Sequence, residues 1–251
     1  MIGALQRTPA LGAALAPPER ESRWQAILPK RMRTDRRVEA GVPRDAPLSD
    51  EFFRAIYTRA GAGVSETLAV CSAITGEGKS TVALGLAVTI AQDFPELRVL
   101  LVETDLQQPV LAADFNVEPT PGLAECLALG ESALFAHRPT GLPNLQLMPA
   151  GGAATGAARL LRSSRMALML DSLRGQHDVV ILDTPALLVN SDALLLTDLA
   201  DGVIFVVRAG VTPQHLVQKA VDQVDQEKLR GLVLNAVESH VPRRVRQLIG
   251  I

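Results

Sequence analysis

Between an apolar run at residues 68–72 and a helix-patterned run at 80–92 lies Ala73-Ile74-Thr75-Gly76-Glu77-Gly78-Lys79-Ser80-Thr81. No other feature of the chain constrains its fold as much. Glycines in a tight turn let backbone N–H groups point inward. A helix that opens directly afterwards adds the partial positive charge of its N-terminus. Such a strand–loop–helix unit cradles phosphate, and its strand must sit in a sheet that the helix can cover. Lys79 is placed to reach the β- and γ-phosphates of a nucleotide, and the Ser80 hydroxyl to ligate Mg²⁺. The first glycine usual in such loops is Ala73 here, which makes this a deviant Walker A motif. ATP and Mg²⁺ are therefore the expected cofactors.

The rest of the pattern agrees with that demand. Apolar strands are predicted at 99–102, 145–148, 179–182, 202–207 and 232–235. Helices are predicted at 49–59, 80–92, 157–173, 192–199 and 213–228, with Leu160, Leu161, Leu168 and Leu173 on the apolar side of the third. Continuous apolar strands alternating with helices argue a parallel sheet covered on both faces. With right-handed crossovers this gives an α/β, doubly wound, mostly parallel P-loop NTPase fold.

A phosphate site of this kind needs carboxylates at neighbouring strand ends. Asp183 closes the run 179–182, where a Walker B acid belongs. Glu103 and Asp105 follow the run 99–102 at a spacing of two. One of that pair could orient a nucleophile and the other the metal. The candidate catalytic residues are thus Lys79, Glu103, Asp105 and Asp183, and the candidate metal residues Ser80, Asp105 and Asp183.

Composition excludes several classes. The 25 Lys and Arg against 27 Asp and Glu leave −2, so this is no polycation built to coat nucleic acid. Two cysteines, Cys71 and Cys126, make a disulfide framework improbable and fit a reduced, cytoplasmic setting. No apolar run reaches the ~18–20 residues of a membrane helix. Residues 1–47 stand apart: nine Lys and Arg against five acids in an Ala-, Pro- and Arg-rich stretch without period. They read as a solvated basic leader, or else as a partner-binding or membrane-facing arm with Trp24 as anchor. The folded domain is expected at 48–240, with a short basic tail at 241–251.

In their order, these motifs resemble the bacterial tyrosine kinases of capsule and exopolysaccharide synthesis. Thr75–Thr81 matches that family's Walker A form. Val99-Leu100-Leu101-Val102-Glu103-Thr104-Asp105 matches its second motif, and Val179–Leu182 with Asp183-Thr184-Pro185 its third. Pro121-Gly122-Leu123, Leu160-Leu161-Arg162-Ser163, Ser191-Asp192-Ala193, Val206-Val207-Arg208-Ala209-Gly210 and Leu234-Asn235 continue the match. The resemblance implies that Thr75, Gly76, Glu77, Gly78, Lys79, Ser80, Thr81 and Asn235 bind the nucleotide. It also implies a partner, a membrane polysaccharide co-polymerase that sets chain length, which would hold the protein at the inner face of the membrane. Related partitioning ATPases usually carry a lysine where Ile74 stands.

Departures shape the expectations. Glu103 replaces an Asp, Gln107 an Arg and Ala186 a Pro. The N-terminal helix reads Glu51-Phe52-Phe53-Arg54-Ala55-Ile56-Tyr57, with Tyr57 at the place of a second Arg, so at most a weak or ATP-dependent oligomer is expected. No tyrosine follows Tyr57 in the sequence, whereas the family phosphorylates a C-terminal tyrosine cluster. Three readings stay open: a kinase-like ATPase, a catalytically weak nucleotide-binding adaptor in the same pathway, and, as runner-up, a partitioning-type positioning ATPase.

Overall fold

A computed structural model describes residues 50–60, 66–130, 133–152 and 156–236. The expectations for the leader at 1–47 and the tail at 241–251 lie outside these residues.

Seven strands form one sheet: β1 (Glu66–Ser72), β2 (Val99–Glu103), β3 (Arg138–Pro139), β4 (Leu145–Met148), β5 (Val179–Asp183), β6 (Gly202–Arg208) and β7 (Leu229–Asn235). Their order is β3-β4-β2-β5-β1-β6-β7. All pairings are parallel except β3 with β4. The helices are α1 (Asp50–Ala60), α2 (Lys79–Asp93), α3 (Leu111–Phe115), α4 (Leu123–Leu129), α5 (Ala157–Leu161), α6 (Ser164–Gln176), α7 (Asp192–Leu199) and α8 (Gln214–Val221), with a 3₁₀ turn at Ala133–Ala136.

Strand residues alternate between two covered faces, as the period of two requires. Leu68, Val70, Ile181, Ile204 and Val206 pack with α1 and α2. On the opposite face Val180 and Leu182 pack with Met166, Leu170 and Leu173 of α6, while Ala69, Cys71, Phe205 and Val207 pack with α7 and α8. Cys71 and Cys126 are both buried, in separate clusters. The expected doubly wound sheet is therefore present.

Helix α2 is buried along nearly its whole length, from Lys79 to Ala91. Its Gly85 is required by a close approach. A Cβ built there would lie 2.1 Å from Cζ of Phe53, a fully buried ring of α1. Gly85→Ala gains helix propensity, worth about 1 kcal/mol. It must also displace the ring, and overpacking costs about 1–3 kcal/mol. The expected result is a net loss of about 0–2 kcal/mol in urea unfolding, with Phe53→Ala losing about 3–5 kcal/mol.

Several predicted elements differ in extent. The helix expected at 157–173 is interrupted. Ser163 is extended (φ −75°, ψ 153°), and its hydroxyl donates to the Leu160 carbonyl at 2.6 Å. Serine competes for backbone groups in this way and breaks helices. The break resets the helical phase, so Leu168 points outward at 67% exposure. Helix α8 stops at Val221 rather than 228, and the Asp225 carboxylate accepts the Glu227 N–H in a turn. Helices α3 and α4 were not expected. Glu125 fixes the start of α4 by accepting N–H bonds from Gly122 (2.7 Å) and, from the loop after β4, Gly152 (2.9 Å). Burial alone would raise the pKa of Glu125, but these N–H donors outweigh it and hold the carboxyl below its ordinary range.

Tyr57 is partly buried with its ring against Phe94 (centroids 5.5 Å), as a packing residue would be. Arg54 forms a two-pronged pair with Asp93 of α2 at 2.5 and 2.7 Å.

Candidate functional site

Strand β1 lies between β5 and β6, where the sheet's winding reverses. Ligands of open α/β sheets sit at the carboxyl end of such a strand. There β1 hands the chain to the loop 73–78. Gly76 (φ 80°) and Gly78 (φ 91°) both take the left-handed conformation, and this turns the loop's N–H groups inward. Thr75 and Gly76 are exposed at the apex. The first bond of α2 runs from Val82 N–H to the Gly78 carbonyl (2.9 Å), so the N–H groups of the turn before it remain available to an anion. Lys79 is 9% exposed, at the base of the loop, and Ser80 and Thr81 are partly buried beside it.

The acids arrive on the adjacent strand ends. Asp183 ends β5, in register with Val70 of β1 and Glu103 of β2. It is 3% exposed, and its Oδ1 has no hydrogen-bond partner among the described residues. Burial pushes its pKa up to about 7. A hydrogen bond from Ser80 and the charge of Lys79 oppose this, while Glu103 and Asp105 add to it. A buried carboxylate oxygen left unmatched beside a hydroxyl is costly unless something binds it. Hard oxygen donors with one or two carboxylates are the set that Mg²⁺ accepts while keeping waters. The residues present therefore fit the cation. Asp105 is partly exposed, and its Oδ1 accepts the N–H groups of Gln107 (3.3 Å) and Gln108 (3.1 Å).

Glu103, one of the pair expected to orient a nucleophile or the metal, turns its carboxylate onto the main chain. It is 1% exposed, and its carboxylate accepts the backbone N–H groups of Val110, Leu111 (2.6 Å) and Ala150 (3.2 Å). It ties the end of β2 to α3 and to the loop after β4. Burial raises its pKa, opposed by those three donors. Gln107 is exposed.

Two of the expected nucleotide ligands turn their side chains inward as well. The Glu77 carboxylate accepts the Ile74 N–H (2.7 Å), the Arg208 N–H (3.2 Å) and the Thr212 hydroxyl (2.6 Å). Asn235 donates from Nδ2 to the Glu77 carbonyl (2.9 Å), and its Oδ1 accepts the Ala236 N–H (2.9 Å). A Cβ at Gly78 would lie 2.1 Å from that Nδ2. Thr212 has no counterpart among the predicted site residues. The motif read at 206–210 stops two residues short of it.

The CobQ/CobB/MinD/ParA nucleotide binding domain model matches residues 68–249. The tyrosine-protein kinase CpsD of Streptococcus agalactiae serotype III is 30% identical over 203 residues, covering 79% of this chain and 87% of that protein. The chain belongs to the bacterial tyrosine kinase family. The succinoglycan biosynthesis transport protein ExoP of Rhizobium meliloti is 34% identical over 184 residues, which are 69% of this chain and 22% of that much longer protein. The kinase domain of the Escherichia coli tyrosine kinase ETK superposes with a TM-score of 0.73 at 24% identity over 92% of this chain and 97% of that one, a likeness of fold. The bacterial tyrosine kinase fold and its nucleotide-binding P-loop are thus in place. Among the described residues no helix is long and apolar enough to cross a membrane.

Proposed function

We propose that this chain is a Mg²⁺-dependent, ATP-binding kinase-like ATPase of polysaccharide synthesis or export. One observation carries the reading: the buried, unmatched Oδ1 of Asp183 beside Ser80, at the mouth of a glycine-built phosphate loop. Thr75, Gly76, Gly78 and Thr81 frame the phosphates, mainly through backbone N–H groups. Lys79 neutralises phosphate charge. Ser80, Asp183 and Asp105 hold the cation, which when bound offsets charge on the phosphate oxygens. Transfer of the γ-phosphoryl group to water or to a protein hydroxyl releases ADP and a proton and leaves free phosphate or a phosphorylated protein. The succinoglycan relative supports the pathway, and a membrane co-polymerase is the partner that would hold the chain at the inner face of the membrane. Self-association is weak or ATP-dependent, since Tyr57 packs on Phe94 where the family pattern has an arginine.

A second reading, the catalytically weak adaptor, is favoured by Glu103, whose carboxylate is already taken by three backbone donors. Incubation with Mg²⁺ and γ-labelled ATP separates the two, with and without the co-polymerase's cytoplasmic segment. Label in free phosphate or on protein, lost in Lys79→Ala, supports the enzyme. ATP binding without turnover in either condition supports the adaptor. Tyr57 is expected to stay unlabelled by mass spectrometry, because its ring is engaged in packing.

A further inference from the structure

Glu77 presents a physical puzzle. A carboxylate that is 1% exposed, within a loop built to receive a polyanion, has the wrong charge for its surroundings. It cannot serve as a ligand there, because its oxygens are directed at donors inside the protein. Oε2 takes the N–H of Ile74 at the loop entrance. Oε1 takes the N–H of Arg208 at the end of β6 and the hydroxyl of Thr212. The main chain of the same residue is held from β7, where Asn235 bonds its carbonyl. Strand β7 is in turn joined to the same turn, as Ala209 donates its N–H to the Asn235 carbonyl (2.9 Å). The turn closes on itself through bonds from Val211 and Thr212 N–H to the Arg208 carbonyl (3.3 and 3.1 Å).

This bracing comes from below the loop. At the apex, nothing lies within 4 Å of where a Cβ of Gly76 would stand. The left-handed Gly76 and Gly78 have no intrinsic preference that would hold them there in the absence of phosphate. Residue 77, between the two glycines, is gripped through both its side chain and its carbonyl, while Asn235 packs against Gly78.

We propose that Glu77 is a positioning residue: its buried carboxylate, with Thr212 and Asn235, locks the phosphate loop to the turn 208–212 in the shape that receives a nucleoside triphosphate. The lock deepens the reading of this site as a nucleotide site and rests on it. Losing the lock lets the loop sample other shapes, and apparent affinity falls by the fraction of time the receptive one is lost. The effect reaches the phosphates without passing through the cation, so it is the same with and without Mg²⁺.

The test is calorimetric titration of the full chain with ATP, in Mg²⁺ and in EDTA, for wild type, Thr212→Val, Thr212→Ser and Glu77→Gln. Thr212→Val removes one hydroxyl and keeps the shape of the side chain. It is expected to weaken ATP about tenfold in both buffers, as for one hydrogen bond to a charged group. Thr212→Ser is expected to recover most of that loss. Glu77→Gln puts an amide N–H₂ against a donor and should lose at least as much. Should that variant fail to fold, the threonine pair still decides. Unchanged ATP affinity in Thr212→Val overturns the lock, as does a loss that Thr212→Ser does not recover. Absence of ATP binding by wild type in the same titration instead removes the nucleotide site itself, and the lock with it.

Discussion

Asp183→Asn is expected to abolish the gain in ATP affinity that Mg²⁺ provides, while metal-free ATP binding stays within about twofold of wild type. The reason is the position of one oxygen. Asp183 Oδ1 is buried and unmatched beside Ser80, so its charge has work to do only when a cation is present. The carboxyl must lose its proton to hold that cation, and burial has pushed its pKa up to about 7. Mg²⁺-dependent binding should therefore strengthen as pH rises through about 7. The stability of the nucleotide-free fold runs the other way. With a raised folded pKa, the native state holds a proton that the unfolded chain gives up at its ordinary carboxylate value. Stability from this group is full at low pH and is lost as pH rises from about 4 through about 7. The asparagine carries no charge to bury. Asp183→Asn should thus be more stable than wild type above pH 7, by an amount on the order of a few kcal/mol. Calorimetry in Mg²⁺ and in EDTA at pH 6 and pH 8, with melting curves of the free protein, checks both halves. Equal affinity losses in both buffers would make Asp183 a structural residue.

Lys79→Ala is expected to cost about 10–100-fold in ATP affinity, the worth of a charge-assisted contact of roughly 1.5–3 kcal/mol. Here the loss appears with and without Mg²⁺, because the ammonium meets phosphate directly. The fold should survive, as Lys79 lies at the loop's base and the core of α2 begins at Val82. A second consequence follows from its charge. Lys79 holds the Asp183 pKa down against burial, so its removal should move the Mg²⁺-binding transition to higher pH. Unchanged ATP affinity would remove the phosphate-loop assignment.

The fold was legible in the sequence wherever an element was long enough to show a period. Six strands and the central helix fall within a few residues of expectation, since a buried strand must be apolar along its length, whereas the two-residue β3 was not expected. Helices α3 and α4 have only five and seven residues, too few for a helical period to emerge from a loop. In the site, the structure brings together Lys79, Ser80 and Asp183, which the strand-end and loop pattern had singled out. That pattern could not tell which way Glu77, Glu103 and Asn235 point. Their partners are distant in the chain: Glu77 reaches Arg208 across 131 positions, and Asn235 reaches Glu77 across 158. A carboxylate facing a ligand and one facing three N–H groups look the same in sequence.

The central place of β1 bears on how such a site would reveal itself in solution. Flanked by β5 and β6 and covered on both faces, this strand has amides that can exchange with solvent only when the whole sheet opens. A nucleotide seated on the loop at its end would be expelled by that same opening. Each increment of binding free energy would then appear undiminished in global unfolding, growing with ligand concentration as mass action requires. Slowed deuterium uptake in β1 and a rising melting temperature would report one and the same equilibrium, whereas the edge strand β3, far from the loop in the strand order, could fray without releasing the ligand.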